Sequence, residues 1–148
     1  MATGFQRLRD GEKLCLVATG YMVHTALKVA ERLAQSGEQI GVIDLFDLSG
    51  FDPERLAESL ATYAGIISLE EGFRGRGGLD AMLFDFCARR RLQASLLNIG
   101  VEGGYRFEIG SRSELHEQVS IGENAVTERV TRFIAELSGG GTNNEGND

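Results

Sequence analysis

Three segments hold the residue types from which chemistry is built. The first is Glu70-Glu71, two adjoining carboxylates at the end of an apolar run, closely followed by Arg74 and Arg76 in a glycine-rich stretch. Two carboxylates beside two guanidinium groups suit acid/base catalysis. They suit an ion-paired docking surface as well, where arginine is favoured for its planar fork. The docking reading is preferred, because a long Gly/Arg loop orders more readily against a partner. The second segment is Ala18-Thr19-Gly20, where a strand feeds a helix. Backbone N–H groups at such a start can hold an anion. A tight turn with Thr19 as helix cap uses the same residues and is the preferred reading. Neither a GxGxxG nor a Walker A pattern is present, so nucleotide binding has little support. The third segment, residues 103–111, carries Tyr105, Arg106 and Phe107 and suits an interface.

Four other side chains are candidates by type alone. His24 and His116 fall among polar neighbours on expected helices and read as solvated surface histidines, because spacing places no acid or nucleophile beside them. Cys15 and Cys87 sit in apolar patterns without CxxC or Cys/His spacing, which reads as buried reduced thiols rather than metal ligands. No GxSxG stretch is present.

The elements that must position these groups alternate in period. Lys13 to Ala18, Gln39 to Leu45, Gly65 to Leu69 and Ser95 to Ile99 are short, nearly all-apolar runs that read as strands covered on both faces. Between them the apolar spacing becomes helical: Tyr21 to Ser36 with Gly37 as its stop, a helix opened by Asp52-Pro53-Glu54, and Leu79 to Arg91. A last helix is expected from Asn124 to Leu137, and Ser113 looks like a further cap. Phe5 to Arg9 reads as a short edge strand turning at Asp10-Gly11. The fold class is therefore α/β: a three-layer α/β/α domain, with a mostly parallel sheet of four to five strands and helices on both faces. One domain is expected over residues 1–137. The remainder, 138–148, is Gly/Asn-rich and is expected to be a disordered tail.

Composition narrows the function classes. The 148 residues include 15 Lys plus Arg against 22 Asp plus Glu, a net charge of −7, which repels phosphate backbones. The one basic run, Arg89-Arg90-Arg91, ends an expected helix, where cations complement the dipole. No apolar run reaches the ~20 residues of a membrane span, and the start has no signal-peptide pattern. Nucleic acid and membrane are thus not expected partners, and a cytoplasmic setting fits the reduced thiols.

Taken in order, the segments resemble the C-terminal domain of transketolases, a domain shared by 1-deoxyxylulose-5-phosphate synthases and 2-oxoacid dehydrogenase beta subunits. The resemblance rests on Leu8 to Gly20 as the opening strand and turn, Met22 to Leu33 as the following helix, and Ile40 to Leu45 with Phe51-Asp52-Pro53-Glu54. It continues through Ile66 to Gly72, Gly77-Gly78-Leu79, Gly110-Ser111 with Glu114-Leu115, and Ile121-Gly122. Together these run from about Leu8 to Leu137, and the ordered set is more specific than any one motif. In such enzymes thiamine diphosphate and Mg²⁺ lie between two other domains, one with a GDG…N motif and one with an activating Glu. Neither domain is expected here, and Glu70 and Glu71 do not correspond to that Glu. The resemblance therefore implies no catalytic or cofactor-binding residue in this chain, and the cofactor only in a complete assembly.

The leading expectation is a separate subunit of a split enzyme, docking onto chains that carry the diphosphate- and pyrimidine-binding domains. A homodimer is compatible with it. The alternatives are a free-standing binding or regulatory module, a piece of a longer enzyme, and, ranked last, a small enzyme using Glu70 or Glu71. Candidate interface or ligand contacts are Thr19, Gly20, Glu70, Glu71, Arg74, Arg76, Tyr105 and Arg106, so that assembly and substrate contact, rather than cofactor chemistry, are the roles open to them.

Overall fold

Leu14 to Ala18 is a run of five apolar residues, all buried, and it forms the central strand of the sheet. A computed structural model describes residues 3–73, 78–101, 115–116 and 120–139. The elements are β1 (Phe5–Arg9), β2 (Leu14–Ala18), α1 (Met22–Ala34), β3 (Gly41–Leu45), α2 (Pro53–Leu60), β4 (Gly65–Phe73), α3 (Leu79–Arg89), β5 (Ser95–Val101) and α4 (Glu123–Gly139). The strand order is β1-β3-β2-β4-β5. β2 to β5 run parallel, and β1 joins β3 antiparallel through Phe5↔Leu45. The mostly parallel five-stranded sheet expected from the sequence is present.

Strand alternation divides the core between two faces. Leu14, Leu16 and Ala18 pack with α1 and α4, whereas Cys15 and Val17 pack with α2 and α3. Each face of the sheet thus has two helices over it. This is why β2 carries no polar side chain and β3 only Asp44. The chain goes from β2 to β3 on one side, then crosses back over β2 to β4 on the other. That reversal creates a topological switch point at the carboxyl ends of β2 and β4.

Local chemistry explains the ends of the helices. Asp52 Oδ1 accepts hydrogen bonds from the backbone N–H of Glu54 and Arg55, both at 3.1 Å, and Pro53 fills the first helical position of α2. α1 stops as its spacing predicts. Gly37 adopts a φ of +89°, which costs glycine no Cβ clash, and Glu38 N–H closes onto the Leu33 carbonyl at 3.1 Å. Gly41 serves a different need. A Cβ there would overlap the Tyr63 hydroxyl, which accepts from the Gly11 N–H at 3.3 Å.

Several boundaries differ from the sequence reading: α1 ends at Ala34 rather than Ser36, α3 at Arg89 rather than Arg91, and β5 runs to Val101 rather than Ile99. β3 starts two residues later than Gln39, at Gly41. β4 does not end at Leu69 but continues to Phe73, re-pairing with β5 at Phe73↔Val101 after an irregularity. α4 extends through Ser138 to Gly139, because nothing in Glu136-Leu137-Ser138 breaks a helix. Residues 140–148, the larger part of the expected tail, lie outside the described residues, as does Ser113.

Candidate functional site

The switch point is filled by side chains from three places in the chain. Tyr21 comes from the turn into α1, Glu71 from the end of β4, and His116 from the short described segment before α4. His116 Nε2 lies 2.7 Å from Glu71 Oε1. The Tyr21 ring stands edge-on to His116 at 5.4 Å and edge-on to His24 at 5.6 Å. The His116 side chain is only 8% exposed, against 40% for Glu71. An ionised Glu71 can only accept, so Nε2 of His116 carries the proton in this contact. The main-chain carbonyl of His116 also accepts from Ile121 N–H at 2.9 Å and Gly122 N–H at 3.1 Å. Ser120, with a φ of +62°, turns the chain between them. His116 therefore joins β4, α1 and the approach to α4.

This corrects the reading of His116 as a solvated surface histidine. The acid partner exists, but it lies 45 residues upstream, where local spacing gives no sign of it. His24 does lie exposed on α1, as expected. It faces Asp44 at the end of β3, a residue the sequence reading did not single out. Partial burial pushes the Asp44 carboxyl above its usual range, and the nearby His24 offsets part of that rise.

The paired carboxylates have separate tasks. Glu70 is buried, and its two oxygens accept from Leu79 N–H at 2.9 Å and Asp80 N–H at 3.1 Å. It caps α3 from nine residues away, because the N-cap position itself is Gly78, which has no side chain to do so. A Cβ at Gly78 would press on the Glu70 carboxylate. Capping satisfies the free N–H groups of the helix start and sets a negative charge at the positive end of its dipole. Glu71, on the opposite side of the strand, is the residue that meets His116.

Thr19 and Gly20 sit at the same edge, half-buried and exposed. Gly20 has a φ of +61°, which explains the glycine. The expected Thr19 cap is not made. The N-cap of α1 is Tyr21, in helical conformation and without a side-chain capping bond. The turn is closed by the main chain, with Val23 N–H donating to the Gly20 carbonyl at 3.2 Å. Arg74, Arg76, Tyr105 and Arg106 lie outside the described residues.

The chemistry open to this arrangement is narrow. Among the described residues no three His, Cys, Asp or Glu side chains are grouped to hold a metal ion. The carboxylate best placed at a helix start, Glu70, is occupied by the amides of α3. These residues do not fit a diphosphate–magnesium group. Both cysteines are buried, as expected, and burial pushes the Cys15 thiol up to about 12 and that of Cys87 to about 11, which makes them poor nucleophiles. At the opposite edge of the sheet lies a crevice of about 230 Å³, lined by Lys13, Leu14, Ile40 and Leu137 among others. It is smaller than ordinary small-molecule sites.

Comparison with known proteins places this architecture. The sequence matches the family described as "Transketolase, C-terminal domain" over residues 4–126. The 1-deoxy-D-xylulose-5-phosphate synthase of Aquifex aeolicus is 27% identical over 126 residues, covering 85% of this chain and 20% of that relative. That of Chlamydia muridarum is 33% identical over 94 residues, 64% of this chain and 15% of the relative. The chain thus spans a fifth or less of these relatives' length. A solved structure described as "Split gene transketolase, inactive beta4 tetramer" superposes with a TM-score of 0.75 at 23% identity, covering 89% of this chain and 42% of that one. The transketolase of Campylobacter jejuni gives 0.67 at 18% identity, over 88% and 18%. Both share the fold. No helix among the described residues is long and apolar enough to cross a membrane.

Proposed function

This chain belongs to the transketolase C-terminal domain family, and we propose that it is the separate third part of a split, transketolase-like thiamine diphosphate enzyme. In this reading it supports assembly, and other chains carry the diphosphate- and pyrimidine-binding domains. The observation that carries the reading is the engagement of both candidate acids in holding the fold, Glu70 on the start of α3 and Glu71 on His116. A third domain that builds structure and leaves cofactor chemistry to its neighbours would use its acids in this way. The similar structure described as a split gene transketolase supports this reading. Thiamine diphosphate and Mg²⁺ belong to the assembly in this proposal and are not assigned to residues of this chain. Arg74, Arg76, Tyr105 and Arg106 are its proposed docking contacts. A cytoplasmic setting is part of the proposal, supported by two buried, unpaired cysteines.

The test is reconstitution. The full chain is mixed with the diphosphate- and pyrimidine-domain chains encoded in the same genome, and mass and ketol transfer are followed. A three-chain complex is expected, with activity at least about tenfold lower when this chain is left out, the scale on which a mispositioned active site loses rate. Full activity of the other chains without it, or the absence of any complex, refutes the proposal.

A further inference from the structure

The turn that follows β3 displays two large apolar side chains to solvent, Phe46 at 55% exposed and Leu48 at 37%. Single exposed apolar residues need no explanation. These two share one turn, and the turn is pinned. Asp47 Oδ1 accepts from Ser49 N–H and Ser49 Oγ, both at 3.1 Å, and from Gly50 N–H at 2.8 Å. The bond from Gly50, then those from Ser49, hold the Asp47 carboxyl below its usual range, so a negative charge stands between Phe46 and Leu48. The turn is also bound to Thr3 and Gly4. Phe46 N–H and Asp47 N–H donate to the Gly4 carbonyl at 3.2 and 3.0 Å, and Asp52 N–H donates to the Thr3 carbonyl at 2.8 Å. It stands at the carboxyl edge of the sheet, where β3 neighbours β2 and the Thr19–Gly20 turn.

We propose that Phe46 and Leu48 anchor this protein to the chain carrying the domain that immediately precedes this one in the relatives. The inference rests on the split-enzyme reading and adds to it the place where docking occurs. The occupant is identified by the position of Thr3 and Gly4. This chain matches a C-terminal domain and spans 20% of the synthase of Aquifex aeolicus. The rest of such a relative precedes that domain, and its polypeptide enters the fold at the position of Thr3 and Gly4. The preceding domain is thus tethered beside the turn that carries Phe46 and Leu48. A separate chain bearing that domain meets the same face without the tether, and the two apolar side chains supply the hold that the covalent link gives in the relatives. The partner surface that fits is an apolar hollow for the Phe46 ring with a cation at its rim for Asp47. A turn already fixed in shape loses little freedom on docking.

Titration of the full chain into the diphosphate- and pyrimidine-domain chains encoded in the same genome, followed by sedimentation velocity, tests it. Phe46→Asp is expected to weaken association by at least about tenfold, and Leu48→Asp by about threefold or more. Both side chains are exposed, so the urea midpoint of each variant should stay at that of wild type. Phe84→Asp removes a ring that is 61% exposed on α3 and should bind within about twofold of wild type. Wild-type affinity in both Phe46→Asp and Leu48→Asp proteins overturns this inference and leaves the split-enzyme reading standing. An equal loss in Phe84→Asp protein does the same, since binding then follows exposed apolar surface in general. Wild-type chain that forms no complex overturns both.

Discussion

Glu70 shows how one side chain can be decisive without touching a substrate. Its carboxylate replaces the cap that Gly78 cannot supply, and it is buried while doing so. Replacing it with alanine leaves two N–H groups at the start of α3 without acceptors. Glu70→Ala is therefore expected to lower the unfolding free energy by about 1–3 kcal/mol. Glu70→Gln, which keeps one oxygen acceptor, should lose less. Urea denaturation of the full chain checks this, and a change below about 0.5 kcal/mol for Glu70→Ala would sink the capping role, being the size of an ordinary surface substitution. The Glu-Glu pair was visible in the sequence, but its division of labour was not. Adjacent residues on a strand point to opposite sides, so one acid meets the helix start and the other meets His116.

The helices differ in how their ends are encoded. α2 carries its start signal locally, in Asp52 followed by Pro53, and the structure uses both. Asp52→Ala should cost about 1 kcal/mol, and Asp52→Ser should recover most of it; the same urea assay separates them, and equal stability of all three proteins would exclude a capping role. α1 and α3 have no local side-chain cap. One is closed by its own main chain and the other by a strand residue. The reading of Thr19 as a cap went wrong here, because a small hydroxyl residue before a helix fits several turn geometries and only one of them aims its oxygen at the free N–H groups. The continuation of β4 past Leu69 has a similar origin. Glu70 and Glu71 are poor strand formers by propensity, but Glu70 is held by the amides of α3, Glu71 by His116, and the strand pairs with β5 again at Phe73.

At the scale of the whole molecule, the two core clusters lie on opposite faces of the same strands, so neither persists if the sheet opens. The chain should therefore unfold in one cooperative step. Far-UV CD and tyrosine fluorescence, the natural probe in a chain with no tryptophan and three tyrosines, should report the same urea midpoint. Separated midpoints would show that the α1/α4 and α2/α3 layers unfold independently. The proposed role in a larger enzyme requires such a self-supporting unit, since it presents a preformed surface.

What the sequence determined by itself was the architecture. Apolar runs of strand length alternating with helical periods leave few options beyond a covered parallel sheet, and the same pattern carried the family resemblance that the match over residues 4–126 bears out. Burial of Cys15 and Cys87 followed from pattern as well. The tertiary structure alone decided what the polar residues do. Glu71 and His116 are far apart in the chain and meet only because the crossing over β2 brings the end of β4 beside the start of α1. Hydrophobic periodicity reports which face of an element is buried. A polar contact depends on which distant element folds against it, and no local spacing records that.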